Sequence, residues 1–94
     1  MIGAHCLAIS DFAGARRGFE RAKALASEAG DRESATMNDG YLALTGLLED
    51  ESGAAARLTT VLAELGERAK FEHGAFYAQQ LETALRVLGA GRTL

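Results

Sequence analysis

The chain has 94 residues, 48% hydrophobic and 24% charged, with no Pro and a net charge of -3. That length holds one small domain, residues 1–94, and excludes a multidomain enzyme. Ten Lys and Arg against thirteen Asp and Glu deny the chain the overall positive field that draws a protein to phosphate backbones, so nucleic acid is not an expected partner.

Nineteen Ala and thirteen Leu against four Val and Ile predict helices instead of strands. In chain order, Ile2 to Ile9 form a short apolar piece that reads as two turns of a first helix. From Asp11 to Gly30 the residues Phe12, Ala15, Phe19, Ala22, Ala26 and Ala29 recur at helical spacing, with Asp11 as N-cap and Gly30 as the C-terminal stop. The opposite face carries Arg16, Arg17, Glu20, Arg21 and Lys23, a solvated surface partly paired with Glu20. A third helix is expected from about Glu33 to Glu49, with Met37, Tyr41, Leu44 and Leu48 on its stripe. A fourth, capped by Ser52, carries Ala55, Leu58, Leu62, Leu65 and Ala69 and stops at Gly66. A last helix runs from about Lys70 to Leu88 and ends at Gly89. About five helices joined by loops of two to four residues predict antiparallel neighbours.

Candidate chemistry is sparse. Glu49, Asp50 and Glu51 are adjacent in a turn and do not converge on a protected substrate as acid and base catalysis requires. His5 and Cys6 are neighbours and His73 is remote, which is not the spacing of a closed metal site. Cys6 stands alone, which excludes an internal disulfide and suits a reducing cytoplasm. No stretch has the pattern of a signal peptide or the length of a membrane span. The expectations are no catalytic residue, no metal and no cofactor, in a soluble cytoplasmic protein. Two Lys among ten cations, with abundant Ala and Gly, suggest a GC-rich bacterial coding sequence.

A shift of 36 residues aligns 27–32 with 63–68, pairing Glu28 with Glu64 and Gly30 with Gly66, and places Tyr41 on Tyr77. Periods in this range mark stacked helical hairpins. Ile2-Gly3, Cys6, Asp11-Phe12, Ala15, Phe19 and Ala22, followed by the helix end Glu28 to Asp31, resemble the tetratricopeptide repeat (TPR), in the longer form of bacterial regulators and signalling proteins. Small residues at this spacing let two helices approach closely, and the aromatic fills the space toward the next repeat. The resemblance implies an all-α array of antiparallel helical hairpins, a short TPR-like stack in which the last helix is a cap. It also admits a piece of a longer protein. A closed five-helix bundle is the alternative architecture.

The resemblance further implies a concave surface lined by the first helix of each hairpin. On that basis Met37, Asn38, Tyr41 and Thr45, with Lys70, His73, Tyr77 and Gln80, are the candidate partner-binding residues. Tyr offers large contact area with few rotors and a hydroxyl that can pair with a peptide group; packing of both Tyr in the core is the competing expectation. The function expected is a non-enzymatic protein-interaction module that binds a peptide or helix of a partner protein. The alternatives are a structural homo-oligomer and a small domain of a transcription regulator.

Overall fold

A computed structural model of the chain describes residues 11–67 and 70–89. These residues form four α-helices, numbered here α1 (Phe12–Glu28), α2 (Arg32–Leu48), α3 (Ala54–Leu65) and α4 (Gly74–Leu88), with no strand among them. The all-α class is therefore shown, with four described helices in place of about five. The further helix expected over Ile2 to Ile9, with His5 and Cys6, lies outside the described residues.

Local chemistry sets the first two helices. Asp11 caps α1, its Oδ1 accepting the Gly14 N–H at 3.0 Å. At the other end Gly30, at φ +73, takes the left-handed turn that a side chain would strain. Its N–H donates to the Ser27 carbonyl at 3.1 Å and the Asp31 N–H to the Ala26 carbonyl at 2.8 Å, satisfying the last carbonyls of α1. Asp31 then caps α2 through the Ser34 N–H at 3.1 Å, and that backbone hydrogen bond holds its carboxyl below the usual range.

α2 packs against all three other helices, and α4 also touches α3. Ala15 and Phe19 from α1 meet Ala43, Leu44 and Leu48 from α2 and Leu58 from α3 in the larger core cluster. A second cluster joins Val61, Leu65, Phe71 and Leu81. Gly40 lets α4 close on α2: a Cβ there would lie 2.5 Å from Leu81 Cδ1 and 3.0 Å from Val61 Cγ1.

The linkers depart from expectation. They span 29–31, 49–53 and 66–73, the second and third longer than the two to four residues expected. Gly53, not Ser52, is the N-cap of α3: it enters the helix at φ +81 and makes no side-chain cap bond. The last helix begins at Gly74, not near Lys70. Phe71, ahead of the helix, is buried in the second cluster. Gly74 then abuts the end of α3 so closely that a Cβ would fall 1.9 Å from the Leu65 carbonyl oxygen. Consequently the 36-residue match does not place its two Tyr equivalently, because Tyr41 sits in the middle of α2 and Tyr77 in the first turn of α4.

Candidate functional site

Two surface grooves flank α2. The first, about 530 Å³, has a floor of Leu42, Ala43 and Val61 and a rim that includes Arg16, Asp39 and Arg57. Glu20 also stands on the rim, and Arg16, Asp39 and Arg57 are already answered within the fold. Arg16 on α1 reaches Glu49 at 2.8 Å and Glu51 at 2.9 Å, and Arg57 on α3 reaches Glu51 at 2.7 Å. Lys23 meets Asp39 at 2.6 Å. The acids that pair with the basic face of α1 are thus Glu49 and Glu51 of the α2–α3 turn and Asp39 of α2, instead of the expected Glu20, because α2 packs along α1. Hydrogen bonds from Arg57 and then Arg16 hold the Glu51 carboxyl below its ordinary pKa, and the bond to Glu49 raises that of Arg16.

The second groove, about 520 Å³, lies between Tyr41 of α2 and one face of α4, where Phe76, Gln80, Ala84 and Val87 line it together with Gln79, Thr83 and Leu88. No charged side chain lines it, in a chain that is 24% charged. Phe76 and Val87 are 58% and 69% exposed. Large apolar side chains grouped in this way cost free energy in water and are relieved by contact with an apolar partner. Gln79, Gln80 and Thr83 are exposed and make no side-chain hydrogen bond within the described residues, so their amides and hydroxyl are open to a ligand.

Tyr41 forms the wall of this groove from inside the fold. Its ring stacks on that of Phe19 with centroids 4.8 Å apart and planes 11° from parallel. Partial burial pushes its phenol pKa upward. Of the eight residues picked from sequence, the groove brings together Tyr41 and Gln80.

The other six stand elsewhere. Met37, Asn38 and Thr45 are buried on α2. Thr45 Oγ1 donates to the Tyr41 carbonyl at 2.8 Å, and Asn38 Nδ2 donates to the Ser34 carbonyl at 2.9 Å while its Oδ1 is buried without a partner. Tyr77 is half-buried against the second core cluster and meets Phe76 edge-on at 5.9 Å. Lys70 lies before α4, 3.8 Å from Glu64 and 3.7 Å from Glu67. His73 is the N-cap of α4; its backbone N–H donates to Glu33 Oε1, and its Nδ1 lies 3.6 Å from Glu33 Oε2.

Phe76 and Val87 lie outside the eight residues that the TPR resemblance nominates. Their signal was present, since both are apolar and out of phase with the Leu81, Leu85 and Leu88 stripe that marks the inner face of α4. Among the described residues no cluster of three His, Cys, Asp or Glu could hold a metal, and no helix is long and apolar enough to cross a membrane. No family model matches the sequence, and no curated protein or solved structure matches it.

Proposed function

We propose that the chain is a non-enzymatic, TPR-like interaction module of the cytoplasm that binds a peptide or helix of a partner protein in the groove between α2 and α4. The observation that carries this reading is the uncharged groove itself, with Phe76 and Val87 exposed beside open amides. Its size suits one amphipathic helix or a short extended peptide. Phe76, Val87 and Tyr41 supply the apolar contact area, and Gln79, Gln80 and Thr83 select for polar groups between the partner's apolar anchors.

A repeat-like arrangement is supported by the packing order, in which α2 contacts α1, α3 and α4 and α4 also lies on α3. The non-enzymatic reading draws support from Glu33, Asp39, Glu49 and Glu51, whose carboxylates are engaged in bonds between segments of the fold. Affinity capture from the host organism tests the reading. Wild-type bait retains a defined partner, and Phe76→Ala/Val87→Ala bait, altered only at exposed positions, loses it with its helical content unchanged. Equal capture by the two baits overturns the proposal.

A further inference from the structure

The exposed face of α4 has an internal order that the groove alone does not explain. Phe76, Gln80, Thr83 and Val87 follow one another at spacings of four, three and four residues, the period of a helix seam. They lie on the side of α4 away from Leu81, which is fully buried in the second core cluster. Read along the helix the stripe is apolar, polar, polar, apolar, and it reads the same in reverse. The helix's two charged residues, Glu82 and Arg86, both fall off the stripe.

We propose that this stripe docks against the same stripe of a second copy of the chain, the two α4 helices running antiparallel about a two-fold axis midway between Gln80 and Thr83. The inference rests on the reading of the α2–α4 groove as a protein-docking surface and names its occupant. In an isologous contact each residue meets its mirror position on the other copy. Here that brings Phe76 of one copy against Val87 of the other at both ends, and Gln80 against Thr83 at the centre. Apolar groups then meet apolar groups, while an amide meets a hydroxyl that can donate to it or accept from it.

The stripe carries no charge, so facing its own copy sets no like charges together. The antiparallel arrangement also opposes the two helix dipoles. Tyr41 stands at the side of the seam. The seam is short, since the 15 residues of α4 span about 22 Å. The association is accordingly weak, as suits a small interface.

Sedimentation equilibrium of the full chain tests the seam through two single variants, Phe76→Lys and Val87→Glu. Both positions are exposed, so each variant keeps the fold, which circular dichroism checks. Wild type dimerises, and each variant alone associates at least about tenfold more weakly because every end contact sets a charge against an apolar group. An equimolar mixture recovers association to within about threefold of wild type, because Lys in one copy then faces Glu in the other. A wild type that stays monomeric at about 1 mM overturns the inference, as does a mixture no stronger than its components. The docking-groove reading fails separately, when capture of a different protein is unaffected by Phe76→Ala/Val87→Ala.

Discussion

The ring of Phe19 on α1 stacks face to face on the ring of Tyr41 on α2, 4.8 Å away. One side of this pair belongs to the core, where Phe19 is completely buried, and the other forms the wall of the α2–α4 groove. Phe19→Ala therefore removes both a core side chain and the support of the groove wall. It should cost about 3–5 kcal/mol, enough to unfold much of a domain of this size at room temperature. Urea denaturation with circular dichroism checks this, and a loss below about 1 kcal/mol contradicts the packing described.

Tyr41 itself should report on the same pair. Burial raises its phenol pKa, so its folded form holds the proton to higher pH than an unfolded tyrosine does. Its contribution to stability is complete below the unfolded pKa of about 10 and is lost as pH rises through the folded value. Alkaline spectrophotometric titration should show a late-ionising component, and Tyr41→Phe should remove it.

Glycine contacts predict a ranking. Gly74→Ala sets a methyl 1.9 Å from the backbone oxygen of Leu65, which no rotamer change relieves, and should cost more than about 3 kcal/mol. Gly40→Ala meets the flexible end of Leu81, and gains about 1 kcal/mol of helix propensity, so its net cost should stay near 1 kcal/mol. Thermal melting of the two variants orders them, and a Gly74→Ala melting as high as Gly40→Ala contradicts the contact between α3 and α4.

Much of the first half was legible in the residues, and the reason is local chemistry. Asp11 caps through a side chain reaching an amide three residues on, and Gly30 supplies a left-handed turn; neither needs a distant partner. The start of α4 was not legible, because burial of Phe71 and the approach of Gly74 to Leu65 depend on where α3 lies. The site divided along the same line. Tyr41 and Gln80 reached the groove, whereas Met37, Asn38 and Thr45 were taken inward because α2 is covered by three helices, leaving it little free face.

Asn38 illustrates what burial does to a polar candidate. At 3% exposure it has an unpartnered Oδ1 and only a hydrogen bond to a carbonyl one turn back. Asn38→Ala loses that local bond but also removes a buried unsatisfied acceptor, and alanine favours the helix. The net change should stay within about 1 kcal/mol, against about 2–5 kcal/mol for Leu44→Ala nearby. Chemical denaturation of both variants checks the contrast.

The charge cluster at the α2–α3 turn predicts acid sensitivity. Hydrogen bonds from Arg57 and Arg16 lower the Glu51 pKa, so the stabilisation is present above the unfolded value and lost as pH falls through the lower folded value. Since these groups are exposed, the effect is modest and weakened by salt. Wild type should lose melting temperature between about pH 5 and pH 3 more steeply than Glu51→Gln, and by less in high salt. Parallel pH profiles for the two proteins contradict the role given to Glu51.

The claim that the groove between α2 and α4 receives a protein partner is tested most directly by the position of contact. A photo-crosslinking side chain at Gln80, in the groove, is compared in the living host with one at Thr59, an exposed position on α3 outside it. The account predicts a discrete covalent adduct from Gln80 and none from Thr59, with the yield from Gln80 falling at least about tenfold in the Phe76→Ala/Val87→Ala background. Equal yields from the two positions, or a Gln80 adduct indifferent to Phe76 and Val87, would contradict it.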